Sequence, residues 1–287
     1  MANKAQGRRQ FLQLAGAGAA ASLAGSNISL GQRRRSTGRR AAKPLFQLGL
    51  ASYTLKEFNL DDTLAMTRKV GLKYICFKSF HLALDSTPAQ IEAVVAKVNE
   101  AGLTLYGGGV IGMKKQDQVH QAFDYAKAAG MKVIVGAPSP EMLPLIEKKV
   151  KQYDIKVAIH NHGPGDRFFP TPAVAIEQIK NLDKRIGMCH DIGHTKRYGE
   201  DPIAETELCG DRLHDVHIKD VSAATKEGKG VEIGRGIIDI PRFVRTLVRM
   251  KYAGIVSLEY EKDAKDPLAG LAESVGYVKG VIAALRA

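Results

Sequence analysis

The chain has 287 residues, 45% of them hydrophobic and 25% charged, with three cysteines and no tryptophan. That composition suits one large globular domain and excludes a disulfide-stapled scaffold. The formal charge of +12 suggests a nucleic-acid partner only until it is located, because nine basic residues fall in the first 43 positions, which hold no acid, and the remainder carries about +3; so small a charge gives no electrostatic case for binding a phosphate backbone.

Those nine are Lys4, Arg8, Arg9, Arg33, Arg34, Arg35, Arg39, Arg40 and Lys43. Within residues 1–30, Gly7-Arg8-Arg9-Gln10-Phe11-Leu12 precedes the small-residue apolar run Ala15–Ala24, and Ser22-Leu23-Ala24 offers a cleavage site. The pattern resembles a twin-arginine signal, which implies export to the periplasm after folding. No cysteine follows the cleavage site and no later stretch is long and apolar enough to span a bilayer, so no stable membrane anchor is expected. Residues 31–45 read as a basic disordered linker, and residues 46–287 as the folded body.

From Leu48 onward, apolar runs of strand length alternate with helical periodicity. The expected strands are 47–53, 73–78, 103–109, 132–136, 155–162, 186–191, 213–219 and 254–260. Helices stop at glycine in Val70-Gly71-Leu72, Ala101-Gly102-Leu103, Ala129-Gly130-Met131 and Ala253-Gly254-Ile255. They start at Thr87-Pro88-Ala89-Gln90, which combines an N-cap, a first-turn proline and a capping-box glutamine, and at Thr171-Pro172 and Asp266-Pro267. Eight strands with intervening helices predict an α/β fold, a (β/α)8 TIM barrel in a single domain. An open doubly wound sheet would need a phosphate loop after an early strand, and Gly107-Gly108-Gly109 lacks its spacing.

Barrel strands point alternate side chains inward. In the fifth strand Ile155, Val157 and Ile159 form the outward set, leaving Ala158, His160 and His162 inside. In the sixth, Cys189 lies beneath Asp191; in the seventh, Asp215, His217 and Lys219 share a side; in the eighth, Ser257 lies beneath Glu259. A lone histidine at a strand end is ordinarily a structural, hydrogen-bonded residue. Four polar tips on one rim instead select His160, Asp191, His217 and Glu259 as ligands of one divalent metal ion. The mixed nitrogen and oxygen set suits manganese first, with magnesium, cobalt, iron or zinc as alternatives. Such an ion polarises a carbonyl, so the expected chemistry is proton transfer on the adjacent carbon.

Asp191 with His194, Val216-His217-Ile218-Lys219-Asp220, Glu259, and Gly234-Arg235-Gly236-Ile237-Ile238-Asp239 together resemble the xylose-isomerase-like superfamily of sugar isomerases, epimerases and inosose dehydratases over residues 46–285. The resemblance implies an enediolate reaction on a keto or aldo sugar. It also exposes a departure: the family's Glu-Asn-His on strand five is His160-Asn161-His162 here, so one of the two glutamates that exchange protons in such epimerases is missing.

Glu259 is therefore expected as ligand and base, with His162 or His81 as the second proton-transfer group. Lys78, His194, Lys219 and Arg235 are expected to bind substrate oxygens; for Lys78, His81, Lys219 and Arg235 a solvated rim or a local ion pair is the plain alternative. The lost glutamate keeps a lyase or dehydratase of ketosugars or 3-keto-glycosides, and an idle sugar-binding barrel, beside the isomerase or epimerase. Apurinic endonucleases share the barrel but need three metals, and Tyr106-Gly107-Gly108-Gly109-Val110 supplies no ligand on strand three. An exported enzyme meets free sugars, glycosides or cyclitols, which favours an unphosphorylated partner; a homo-oligomer is compatible with the sequence.

Overall fold

A computed structural model describes residues 46–285. The leader and the basic linker lie outside the described residues. Eight parallel strands close into a barrel: β1 (Gln47–Ala51), β2 (Tyr74–Phe77), β3 (Thr104–Met113), β4 (Val133–Pro138), β5 (Lys156–His160), β6 (Ile186–Asp191), β7 (Leu213–Ile218) and, after a small antiparallel hairpin of β8 (Asp220–Val221) and β9 (Gly230–Val231), β10 (Ile255–Leu258). β10 closes the ring between β7 and β1. The (β/α)8 barrel expected from the alternation is the observed architecture.

The helices are α1 (Leu60–Lys69), α2 (Pro88–Glu100), α3 (Gln116–Ala128), α4 (Leu143–Tyr153), α5 (Pro172–Ile179), α6 (Ile192–Tyr198), α7 (Pro202–Cys209), α8 (Ile240–Arg249) and α9 (Leu268–Ala284). Their boundaries follow local chemistry. Thr87 and Gln90 form the reciprocal capping box at α2, and the Thr171 hydroxyl accepts from Val174 N–H at α5. Gly71, Gly102 and Gly130 take positive φ after α1, α2 and α3, where a side chain would be strained. The other two signals act differently. Lys251, not Gly254, takes the left-handed conformation after α8, and Asp266 makes no cap at α9, whose N-cap is Pro267.

Alternation divides the core into two clusters. Ile155, Val157, Ile159, Val256, Leu258 and Tyr260 belong to the large cluster of buried apolar residues that also includes helix residues such as Ile146, Ile179 and Phe243. Cys76, Tyr106, Val133, Val135, Ala158 and Cys189 form the smaller second cluster, contributed by five barrel strands. Small residues on the inner faces of β5 and β6 therefore sit beneath larger polar tips. No helix of the described residues is long and apolar enough to cross a membrane.

Candidate active site

His160 is the last residue of β5, Asp191 the last of β6, His217 the penultimate residue of β7, and Glu259 directly follows β10. Strand pairing sets them side by side: Asp191 is opposite His217, and Ser257 opposite His217 brings Glu259 up one pleat later. This is the carboxyl-terminal rim, where barrels of this kind hold their chemistry.

The four tips converge. His160 Nε2 lies 3.1 Å from His217 Nδ1 and 3.4 Å from Asp191 Oδ2, and His217 Nδ1 lies 3.2 Å from Glu259 Oε2. One donor atom from each residue fits within a group no wider than 4.8 Å, and all four side chains are buried. Donors bound tetrahedrally to one ion at about 2.0–2.2 Å would sit about 3.3–3.6 Å apart, close to these separations. Asp191 Oδ2, the oxygen facing His160 Nε2, adds to the fit: it is buried, with charged neighbours but no well-aligned hydrogen-bond donor. The donor set thus suits a divalent cation.

Charge states follow from the surroundings. Burial pushes His160 down to about 3, despite its contact with Asp191, so the ring is neutral and has a lone pair to offer. Burial opposes charge on Glu259 and Asp191, but neighbouring cationic groups overcome it. Lys219 and His217 hold Glu259, and His194 and Lys219 hold Asp191, well below the usual carboxylate range.

Lys219 is the centre of that electrostatics. Its Nζ lies 2.6 Å from Glu259 Oε2 and 2.9 Å from Asp191 Oδ2, and also contacts Glu261. A Cβ on Gly193 would come within 2.4 Å of Lys219 Cγ, so glycine after Asp191-Ile192 is what lets the lysine stem pass. Asp191 is also held from its own side. Its Oδ1 caps α6 by accepting from His194 N–H, and its backbone N–H donates to Asn161 Oδ1.

The remaining expected site residues separate into two groups. Lys78, His162 and His194 stand at the mouth. Lys78 Nζ donates to Val110 O at 2.5 Å, and burial lowers its pKa. Lys78, His160 and His162 line a cavity of about 890 Å³, together with Lys114, Arg167 and Phe168. His162 lies beyond the end of β5, with its ring 4.5 Å from that of His160 and Nδ1 3.5 Å from Asp166 Oδ2. His194 faces Asp191 at 3.9 Å and, with Lys219 and Glu259, lines a smaller recess of about 50 Å³.

Two expected residues lie elsewhere. His81 Nδ1 is 2.9 Å from Ser52 Oγ, and its Nε2 is 2.9 Å from Thr63 Oγ1 and 3.2 Å from Phe58 O. Both ring nitrogens are engaged in buried hydrogen bonds, which leaves His81 no free nitrogen for proton transfer at the rim. Arg235 makes a two-point ion pair with Glu273 on an exposed surface and does not line either cavity. It is no substrate contact in this arrangement.

Three contributors were not singled out from the sequence. Asn161 Nδ2 donates to Asp191 O and Thr195 Oγ1, joining the end of β5 to β6; its place in the strand-five tripeptide was the available signal. Asp220 accepts from the backbone N–H groups of Val221, Gly234, Gly236 and Ile238, fixing the glycine-rich loop. Arg197 lines the recess beside Lys219 and donates to Lys226 O, and nothing in the sequence pattern marked it.

Several known proteins resemble this chain in sequence or in fold. A provisionally named L-ribulose-5-phosphate 3-epimerase of Escherichia coli is 28% identical over 160 residues, covering 44% of this chain and 56% of that protein. The chain therefore matches little more than half the length of that curated relative. Among solved structures, a protein of no assigned function from Parabacteroides distasonis is 25% identical with a TM-score of 0.66, over 82% of this chain and 99% of its own. The 3-keto-D-glucoside 4-epimerase of Escherichia coli is 18% identical with a TM-score of 0.68, over 82% of this chain and 99% of its own, a likeness of fold. Residues 64–281 match the family described as Xylose isomerase-like TIM barrel, and with the closed barrel already established the chain belongs to that family.

Proposed function

We propose that this chain is a divalent-metal-dependent isomerase or epimerase acting on a keto or aldo sugar by proton transfer beside a carbonyl. The carrying observation is the buried convergence of His160, Asp191, His217 and Glu259 on the rim. When bound, the ion supplies Lewis-acid polarisation of the substrate carbonyl. The similarity to a provisionally named L-ribulose-5-phosphate 3-epimerase supports the reaction class. A free sugar, glycoside or cyclitol is the proposed substrate class.

In this reading Glu259 has two uses. Its Oε2 takes the contacts from His217 and Lys219, while Oε1 takes no hydrogen bond among the described residues. Oε1 is the proposed acceptor of the carbon-bound proton, whose bonding pair moves into the adjacent carbonyl to give an enediolate. The Lys219 ammonium, close to Glu259, stabilises the anionic charge passing through the site. His162, partly exposed in the larger cavity, is the proposed second proton-transfer group. Return of a proton to the same carbon from the opposite face gives epimerisation; delivery to the neighbouring carbon gives isomerisation.

A second reading is a lyase, favoured by one specific feature: His160 stands where the family's strand-five glutamate would be. With one rim carboxylate fewer, the enediolate would expel a β-hydroxyl as water after protonation of that oxygen. Both readings begin with the same proton removal. Incubating the purified, manganese-loaded protein with ketoses and 3-keto-glycosides in deuterated water tests them together. Carbon-bound deuterium in substrate or epimer supports proton transfer with return, and loss of water supports the lyase. Absence of both exchange and product with all of these sugars, in the manganese-loaded protein and in protein loaded with magnesium, cobalt, iron or zinc, would contradict the enzymatic reading.

Export belongs to the same proposal and rests on the Arg8-Arg9 leader. Replacing both arginines with lysine should retain the protein inside the cell if the twin-arginine route is used; unchanged export would contradict it.

A further inference from the structure

The two histidines of the rim cluster are shared with a second set of donors. Cys189 is opposite His160 across the β5–β6 ladder, one layer below Asp191. Its Sγ lies with one nitrogen each of His160 and His217 in a group whose atoms are all within 4.8 Å of one another. All three side chains are buried, and His160 Nδ1 and His217 Nε2 have no hydrogen-bond partner among the described residues. Metal bonds of about 2.0–2.3 Å to nitrogen and sulfur would close such separations with small side-chain rotations.

We infer that the barrel offers two overlapping cation positions built on His160 and His217. Asp191 and Glu259 complete the upper one, and Cys189 completes the lower. Ligand softness separates them. Imidazole serves either kind of ion, carboxylates prefer manganese and magnesium, and a thiolate draws zinc, cadmium or cobalt. Binding at the lower position releases the thiol proton to solvent and forms a metal–sulfur bond from the resulting lone pair, with no change of oxidation state and no further reactant. The inference borrows two residues from the proposed function but requires no sugar chemistry. Its consequence is that the identity of the ion decides which donors are engaged, so thiophilic ions would be drawn towards Cys189 and away from the two carboxylates.

The test is a cobalt titration of the full-length, metal-free protein, followed by absorption. The unmodified chain should show visible ligand-field bands together with a near-ultraviolet thiolate-to-cobalt charge-transfer band. Cys189→Ser should lose the charge-transfer band, keep the ligand-field bands, and bind cadmium about ten- to a hundredfold more weakly with manganese affinity unchanged. Cys76→Ser, which removes another thiol of the same inner cluster, should keep the charge-transfer band. Ligand-field bands alone in the unmodified chain, or a charge-transfer band that survives in Cys189→Ser, would overturn the inference. No cobalt binding at all would overturn both this inference and the metal requirement of the proposed function. A thiolate band in a protein inert towards sugars would support the inference and count only against the proposed function.

Discussion

Lys219 Nζ lies 2.6 Å from Glu259 Oε2 inside the barrel mouth, so an ammonium already neutralises part of the charge that a divalent ion would engage. Two like charges about 4 Å apart repel by about 4 kcal/mol at an effective dielectric of 20, and even a fraction of that weakens metal binding. Lys219→Met should therefore bind manganese about tenfold more tightly or better by calorimetry, while sugar turnover falls. Removing one member of a buried ion pair costs about 3–5 kcal/mol. The metal-free variant should accordingly melt earlier than the unmodified protein and regain stability as manganese is added. Unchanged manganese affinity would show that the ammonium does not oppose the ion.

Asp191→Asn keeps the shape of the side chain and an oxygen able to accept from His194 N–H, the bond that caps α6. The fold should survive the change while the cluster loses a negative charge. We expect manganese affinity to fall about a hundredfold, with deuterium exchange into substrate lost at metal concentrations that saturate the unmodified protein. Calorimetry and circular dichroism on the same sample separate lost affinity from lost fold.

The strands and the rim tips were legible because each reports a period. Ile155, Val157 and Ile159 against Ala158 and His160 is alternation of period two, and the same rule placed Asp191, His217 and Glu259 inside. His81 shows where that signal stops. Its fate depends on Ser52, Phe58 and Thr63, which reach it from the segment after β1 and from α1, and no local pattern reveals such a contact. Arg235 came from a loop resemblance, and loop position does not say that Glu273 on α9 will pair with its guanidinium. Lys219 was expected to face the mouth and does. That it would contact three carboxylates is a property of packed strands, not of the sequence around it.

A pH effect on stability is expected away from the metal cluster. His214 is 9% exposed, and its Nε2–H donates to Lys184 O at 2.8 Å. Burial first, then neighbouring Lys156, pushes its pKa down from 6.5 to about 4. Because the folded value is the lower one, the unfolded chain takes up the proton first as pH falls. This residue's contribution is intact above pH ~6.5 and declines towards pH ~4, by about 3 kcal/mol at about 1.4 kcal/mol per pH unit. His214→Gln retains a donor for Lys184 O and does not titrate, so denaturant unfolding of that variant should show a shallower acid slope than the unmodified protein. Equal slopes would assign the acid loss to other groups.

The most direct measurement is anomalous diffraction from a crystal soaked in manganese. A single strong peak is expected within bonding distance of His160, Asp191, His217 and Glu259, with the Lys219 ammonium displaced from between the two carboxylates. A map with no peak at the rim, or with manganese bound by other residues while those four side chains keep their mutual contacts, would contradict it.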